Sequence, residues 1–239
     1  MEVLNDIENN LRWREKENID NIFQRRLDPQ KLQSIRIALH DGFYGVDKRG
    51  YPVYWCQAGL INFQKLLNSG VTLDEALLAH LQIMEFNQRV LLKEASKLAN
   101  RTVYQTTTVL DMKGFTINMI NRAFWTCLLG ISQLDEKYYY EFIASVYFIN
   151  VPMVFRIFWK TVQGLLSLET RKKVKILSHP TDLYAFIDSK VIPYQFEGKH
   201  MQNDILFSDE NLKTQYSLNL DQFIENWKPE EEGDDNTRG

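Results

Sequence analysis

The amino-acid sequence predicts an α/β fold with a largely parallel or mixed sheet. Four short segments rich in β-branched and aromatic residues read as strands, and helical stretches of ten or more residues separate most of them. Connections of that length join parallel strands by crossovers. With 239 residues, of which 44% are hydrophobic, the chain is long enough to bury a full core. The predicted strands are 52–56, 102–112, 145–150 and 173–177.

The first part of the chain is predicted to be helical. Residues 1–27 carry apolar side chains at roughly helical spacing on a very charged segment. Pro29 is well placed to open a second short helix that ends at about His40, because the first turn of a helix does not use the N–H group that proline lacks. A turn at 47–50 then leads into the strand 52–56.

Helices are predicted between the remaining strands. Thr72 and Glu75 have the spacing of a capping box, so a long helix begins there and is expected to end near Asn100. Leucines recur along it at helical spacing, which predicts one buried stripe. The other predicted helices are 116–129, 135–142, 151–166 and 181–188.

Charge and cysteine content exclude several classes of protein. Lys and Arg number 28 and Asp and Glu 31, so the basic excess typical of nucleic-acid binding is missing and no nucleic-acid partner is expected. The segment 228–239 contains five acids and two bases, so it carries the whole net charge of −3. Two cysteines are too few for a disulfide framework, which favours a reducing compartment. We expect a cytoplasmic protein, since the first 18 residues lack the apolar stretch of a secretion signal.

The sequence contains no pattern typical of an enzyme. Nucleotide-binding glycine motifs, the nucleophile-elbow motif and the zinc-protease motif are missing, and the four histidines are dispersed. Asp111, at a predicted strand end, is the best single candidate for acid–base chemistry. An Asp before a Lys–Gly turn is, however, more often a hydrogen-bond acceptor. We therefore expect no enzyme activity, no metal and no cofactor, and keep an α/β enzyme that uses Asp111 as a third hypothesis.

The predicted helix 151–166 is more apolar than a surface helix requires. Apolar residues cover most of its circumference, and only Arg156, Lys160 and Gln163 form a polar strip. One interpretation is a helix buried in the core of a large domain. The other is a helix whose excess apolar surface meets a ligand, another protein or a bilayer, which the pairing of bulky rings with cations favours.

Five segments of the chain, in order, match the motifs of one protein family. Asp47–Tyr54 is similar to the first hairpin of that family, with Tyr51 in place of the usual Arg, and 109–114 to its Ile-x-Asp-x-x-Gly strand end. Tyr-Tyr-Tyr-Glu at 138–141 resembles its Tyr-Tyr-Pro-Glu, although Phe142 replaces the Arg that normally follows. The last two matches are Ile-Asn-Val-Pro with its flanks at 147–155 and the stretch 170–176. In these five segments the chain resembles the CRAL-TRIO family, the lipid-binding domain of the yeast-type phosphatidylinositol/phosphatidylcholine transfer proteins.

The resemblance implies a mixed, mainly parallel sheet that floors an apolar lipid pocket and is closed by a mobile gate helix. The gate helix is 151–166, which accounts for its excess of apolar residues. The expected domains are a shortened N-terminal helical region at 1–40, a CRAL-TRIO lipid-binding domain at 41–226 and an acidic disordered tail at 227–239. The gate helix is expected to contact a membrane through its rings and its two cations. The residues of this group are Met153, Phe155, Arg156, Phe158, Trp159 and Lys160.

The resemblance also implies two headgroup stations. Glu141, Thr170 and Lys173 match residues that bind the inositol phosphate, where a cation suits a phosphate and a hydroxyl and a carboxylate suit sugar hydroxyls. A second station holds choline by cation–π attraction and strand hydroxyls. Its residues are Phe43 on the first loop, Tyr54 in the hairpin, and Thr106 and Thr108 on the central strand.

The function that the resemblance implies is lipid binding and transfer without covalent chemistry. The expected cargo is phosphatidylinositol, with phosphatidylcholine and other phospholipids as further partners, exchanged during transient contact with a membrane surface. The alternative is a scaffold module that binds small GTPases or other signalling proteins, as some relatives do.

Overall fold

The computed structural model describes residues 2–196 and 220–227. It divides the chain into two compact units, one formed by Met1–Arg26 with Asn219–Gly239 and the other by Leu27–Leu218. Of the predicted acidic tail, only Trp227 lies within the described residues. The tail and the domain boundaries at residues 40 and 226 stay predictions.

The smaller unit is helical, as predicted for residues 1–27. It contains α1 (Glu2–Lys16), a 3-10 segment at Ile19–Gln24 and the C-terminal α9 (Leu220–Asn226). Phe23 contacts the ring of Phe223 edge to face, with centroids 5.1 Å apart. The 3-10 segment and α9 therefore meet through aromatic packing within this unit.

The larger unit contains a five-stranded sheet in the order β1-β2-β3-β4-β5. β1 and β2 are antiparallel and all other neighbours are parallel, which confirms the predicted mixed, mainly parallel sheet. The sequence analysis missed β1 as a strand, because two of its six residues are glycines, which are depleted in strands. The strands are β1 (Asp41–Val46), β2 (Pro52–Cys56), β3 (Thr106–Asp111), β4 (Ile143–Ile149) and β5 (Val174–Ile176).

Helices connect the strands close to the predicted positions. The Thr72 cap is confirmed, since Thr72 Oγ1 accepts from the Glu75 N–H at 3.2 Å and the Glu75 carboxylate accepts from the Thr72 N–H at 2.9 Å. None of the described helices is long and apolar enough to cross a bilayer. The α-helices are α2 (Pro29–Leu39), α3 (Phe63–Asn68), α4 (Leu73–Phe86), α5 (Leu92–Ala99), α6 (Arg122–Leu134), α7 (Met153–Val162) and α8 (Leu168–Lys173).

Several predicted helices are interrupted by tighter or wider turns. A π turn at Asn87–Leu91 separates α4 from α5, and another at Asp135–Tyr139 follows α6. The predicted gate helix consists of α7 and a 3-10 turn at Gln163–Leu165, and the predicted helix at 181–188 is a 3-10 segment at Pro180–Ala185. π turns are rare and concentrate at functional sites.

The hairpin turn is held by the buried carboxylate of Asp47. It accepts from the N–H groups of Arg49 at 2.8 Å and Tyr51 at 3.0 Å, and from the hydroxyl of Thr107 at 2.8 Å. Gly50 adopts a φ of 80°, which glycine takes without strain. The Asp-Lys-Arg-Gly sequence therefore fixes the β1–β2 hairpin against β3.

The two faces of the sheet have different roles. Along each strand, alternate side chains point to opposite faces. On one face of the sheet, side chains of β2, β3 and β4 pack closely against the segment 183–196. The buried residues of this cluster are Val53, Trp55, Val109, Tyr147, Ile149, Leu183, Ile187, Ile192 and Phe196. The opposite face is left for the site described below.

The loop after β2 packs tightly against the turn after β3. A Cβ atom on Gly59 would lie 2.6 Å from the carbonyl carbon of Met112, closer than Cβ atoms approach backbone in proteins. Gly114, with φ of 89°, lets the turn reverse beside Leu60. The two loops can therefore approach only because both positions lack a side chain.

We expect Gly59→Ala to lower the free energy of unfolding by about 1–3 kcal/mol, since the added methyl group meets backbone that cannot rotate away. Urea unfolding followed by tryptophan fluorescence measures the change. Gly164→Ala is the matched control, because a Cβ there has no atom within 4 Å. Equal stability of the Gly59 variant and the wild type would contradict the close packing of the two loops.

Candidate functional site

A cavity of about 370 Å³ lies between the open face of the sheet and the helices. Side chains from all five strands floor it, and α2, α3, α4, α6 and α7 wall it. Its size falls in the range of ligand pockets, and its wall is predominantly apolar. This arrangement matches the predicted apolar pocket over a mixed sheet.

Aromatic rings close the α7 side of the cavity. Phe155 contacts Phe115 with centroids 5.4 Å apart and Phe148 with centroids 5.1 Å apart. Phe158 adds contacts to Phe124 at 5.5 Å. All of these rings line the cavity. These five phenylalanines therefore form one side of the cavity wall.

Helix α7 has two different stripes. Phe155 and Phe158 are buried and face the cavity, where Trp159 also lies. The opposite stripe is exposed, with Met153 at 71% and Ile157 at 64% relative exposure. Because these rings point inward in this structure, the membrane contact expected through them would need α7 to be displaced, and it stays a prediction.

The two cations of the helix share the outer stripe. Arg156 and Lys160 are exposed and, with Met153 and Ile157, follow the i, i+3, i+4, i+7 spacing of a single helix face. Their part in membrane contact stays a prediction.

The segment before α7 is fixed by Asp111, the predicted candidate for acid–base chemistry. The Asp111 carboxylate accepts from the Lys113 N–H at 2.9 Å and from the Asn150 side chain at 3.0 Å. Asn150 has a φ of 51°, a left-handed conformation that asparagine tolerates. Asp111 is buried and acts as a hydrogen-bond acceptor, which is the structural role that its sequence context favours.

The segment after α7 is fixed by Glu136. Its carboxylate accepts from the N–H of Ser167 at 2.9 Å and from the hydroxyl of Thr170 at 3.3 Å. Ser167 in turn caps α8 by accepting from the N–H of Thr170. Both ends of the predicted gate therefore carry a defined hydrogen-bonded boundary.

All four residues of the predicted choline station line the cavity. The rings of Phe43 and Tyr54 lie 5.0 Å apart between centroids. Thr106 exchanges hydrogen bonds with the Asn87 side chain at 2.9 and 3.1 Å, and Thr108 lies on the same face of β3. Phe43 lies on β1 and not on a loop, which corrects the expected position.

The predicted inositol station is brought together only in part. Thr170 is buried at the cavity wall. Glu141 is exposed after the π turn, and Lys173 is half-buried at the end of α8. Neither of these two belongs to the wall, so any role in headgroup binding would place the headgroup outside the cavity.

The sequence analysis missed a cluster of ionisable side chains in the wall of the cavity. His80 Nε2 lies 2.6 Å from an Asp135 carboxylate oxygen, and the Tyr54 hydroxyl donates to Asp41. Glu136 also lines the cavity, whereas none of the described lining residues is a lysine or arginine. One signal of this cluster was available in the sequence. His80 has the helical spacing that places it between Leu77 and Met84 on one face of α4, so it interrupts an apolar stripe.

Burial and neighbouring charges shift the pKa values of Asp41 and His80 in this cluster. Burial raises the pKa of Asp41, and the positive charges of Arg36 and His80 offset only part of that effect. Burial opposes protonation of His80, but the charge and hydrogen bond of Asp135, together with the charge of Asp41, raise the pKa of His80 above its usual range. His80 therefore retains its proton to higher pH than a free histidine does.

Both cysteines of the chain also line the cavity. Cys56 and Cys127 are free and buried, and burial raises the pKa of each thiol.

We expect Asp135→Asn to lower the free energy of unfolding by about 1.5–3 kcal/mol at low pH, where His80 is charged. A raised folded-state pKa stabilises the fold fully below the pKa of the unfolded histidine, and this contribution disappears as pH rises through the folded-state value. The loss of unfolding free energy caused by Asp135→Asn should therefore be smaller in alkaline buffer. Urea unfolding at several pH values measures it, and a pH-independent loss would contradict the charged pair.

Comparisons with known proteins agree with this geometry. The sequence profile of the CRAL/TRIO domain matches residues 40–198. The chain is 28% identical over 185 residues to the phosphatidylinositol/phosphatidylcholine transfer protein SFH12 of Arabidopsis thaliana, covering 77% of this chain and 34% of that protein. It is 30% identical over 186 residues to SFH13 of the same plant, covering 77% and 29%. The chain spans about a third of the length of these curated relatives.

A solved structure supports the fold. The chain superposes on the crystal structure of Sfh5 with a TM-score of 0.64 at 20% identity, covering 88% of this chain and 75% of that one. The residues 40–198 that match the family profile contain all five strands of the sheet, the cavity floor and α7. The chain therefore belongs to the CRAL/TRIO domain family.

Proposed function

We propose that this chain binds a phospholipid in the cavity and exchanges it between membranes, with phosphatidylinositol or phosphatidylcholine as cargo. The observation that carries the proposal is the apolar cavity beneath α7, with polar side chains at defined places in its wall. The names of the plant relatives, which are phosphatidylinositol/phosphatidylcholine transfer proteins, support the same cargo.

The physical requirement for such a carrier is a dry apolar interior. Two acyl chains contain about 30 methylene groups, and shielding each from water is worth about 0.8 kcal/mol, or roughly 25 kcal/mol in all. The inward rings of α7, with the aliphatic residues of α4 and α6, offer such a surface. A lipid held there would be shielded during passage through the cytoplasm, where we place the protein.

The lipid headgroup would bind at one of two positions, depending on its chemistry. Phe43 and Tyr54 offer aromatic faces to a quaternary ammonium group, and Thr108 offers a hydroxyl. An inositol phosphate would instead bind outside the cavity, near Lys173, because no lysine or arginine is among the described residues that line the interior. The proposal therefore assigns the choline group to the interior and the inositol phosphate to the mouth.

Lipid would enter and leave by displacement of α7. The helix is bounded by the left-handed Asn150 on one side and by the 3-10 turn Gln163–Leu165 on the other, and both are positions where the backbone direction changes. Between them the inward stripe of α7 makes apolar contacts, which water or lipid can replace without a lost hydrogen bond. The exchange needs no covalent step.

Native mass spectrometry of the purified chain tests the cargo. We expect a mass increment equal to one phospholipid for the wild type and no increment for Thr108→Trp, because the indole would occupy the cavity floor. Thr108→Val keeps the size of the side chain and removes its hydroxyl, so it should retain lipid but bind less phosphatidylcholine. A wild type that carries no lipid after exposure to vesicles would favour the scaffold alternative.

Vesicle-to-vesicle transfer of labelled phosphatidylinositol tests whether Lys173 binds the inositol phosphate outside the cavity. We expect Lys173→Gln to reduce the initial rate about tenfold, the effect of losing a charge-assisted hydrogen bond of about 1.4 kcal/mol. Lys172→Gln is the matched control, since it removes the same charge from the adjacent exposed residue. Equal losses in both variants would show a general charge effect and contradict the assignment of Lys173.

A further inference from the structure

Three segments of the chain meet at one edge of the sheet. Strands β2, β3 and β4 are parallel, so their carboxyl ends lie at the same edge. The segments that follow them are 57–62, 112–121 and 150–163. We call the exposed surface of these three segments the docking edge.

The three segments are in direct contact. Gly59 packs against the Met112 backbone, and a Cβ on Gly114 would lie 3.0 Å from the Leu60 side chain. Phe115 continues the second segment into the ring cluster beneath α7, where it contacts Phe155. The docking edge is therefore one continuous part of the larger unit, and two of its three segments directly follow strands of the sheet and lie outside α7.

Large aliphatic side chains protrude from all three segments. Leu60 is 47% exposed and Ile117 is 63% exposed, and the outer stripe of α7 adds Met153 and Ile157. Single exposed apolar residues are common on protein surfaces, but a group of four on one edge is typical of an interaction site.

The charges of the docking edge all have one sign. The three segments contain Lys113, Arg156 and Lys160 and no aspartate or glutamate, although the chain as a whole has more acids than bases. All three cations are exposed, and none of them forms an ion pair with another described residue. The edge therefore presents local positive charge on a chain of net negative charge.

We propose that the docking edge binds the surface of an anionic phospholipid bilayer, and that the fixed segments carrying Leu60 and Ile117 hold the protein there while α7 is still closed. The proposal rests on the proposed function, because exchange requires contact with a membrane. Aliphatic tips enter the boundary between headgroups and acyl chains, while lysine and arginine reach back to lipid phosphates.

Two features favour a bilayer over a protein partner. Protein interfaces are enriched in aromatic residues and depleted in lysine at their centre, whereas the rings of α7 point inward and lysines flank the exposed aliphatic tips. Each cation near an anionic membrane strengthens binding about fivefold, and the effect falls with salt. A local group of three cations therefore compensates for the unfavourable net charge of the chain.

Cosedimentation with vesicles of phosphatidylcholine mixed with phosphatidylserine tests the proposal. We expect the wild type to bind these vesicles more strongly than vesicles of phosphatidylcholine alone, and added salt to weaken the binding. The double variant Leu60→Gln and Ile117→Gln should bind at least about tenfold more weakly, because two apolar side chains no longer enter the bilayer. Leu98→Gln, which changes a leucine that is 71% exposed on α5, should bind as the wild type does.

A charge pair completes the test. Lys113→Glu should weaken binding to the anionic vesicles more than about fivefold, whereas Lys93→Glu, an exposed lysine on α5, should have little effect. Equal binding of the Leu60 and Ile117 double variant and the wild type would overturn the proposal. So would the same loss in the α5 controls, or a wild type that binds a protein partner but no vesicle.

The cargo measurement separates this inference from the proposed function. Both docking variants should still carry lipid in native mass spectrometry, because the changed residues do not line the cavity. A wild type that docks through these residues but carries no lipid contradicts the proposed function and supports the docking edge. A wild type that carries lipid but docks equally well without Leu60 and Ile117 contradicts the docking edge alone.

Discussion

The sheet must be packed completely from one side, because its other side has to stay open. This constraint governs the architecture of the larger unit. The residues 183–196 bury the outer face against Trp55 and Tyr147, and the Asp47 carboxylate binds Thr107 on β3. Thr106 and Thr108, on either side of Thr107, line the cavity on the opposite face. Neighbouring residues of one short strand thus pack one face of the sheet and line the cavity on the other.

The cavity owes its shape to polar residues as much as to apolar ones. Glu136 holds the segment after α7, and Asp111 holds the segment before it, so the helix covering the cavity is fixed at both ends by carboxylates. The His80–Asp135 pair links α4 to the π turn after α6. Between these polar contacts the covering helix is held by apolar packing of rings and aliphatic side chains, which suits the proposed displacement of α7.

The sequence predicted the elements whose signals are local, and missed contacts between distant residues. The Thr72 capping box, the strand pattern around Thr107 and the excess of apolar residues in 151–166 are all read from neighbouring positions. Which stripe of α7 faces inward depends on the sheet it covers, so the spacing of apolar residues in 151–166 could not by itself assign the rings to the cavity. The His80–Asp135 pair joins residues 55 positions apart, and no local pattern predicts such a contact.

The positions of the two cysteines give the molecule an internal reporter. Cys56 and Cys127 are the only thiols in the chain, and both face the cavity. Burial raises the pKa of both thiols, which disfavours the reactive thiolate. An alkylating reagent that enters the cavity would occupy the space that we propose for the cargo, so reagent and cargo would compete for it. If α7 is displaced as proposed, the rate of thiol modification therefore measures how often the cavity is both open and empty, and no label has to be engineered into the chain.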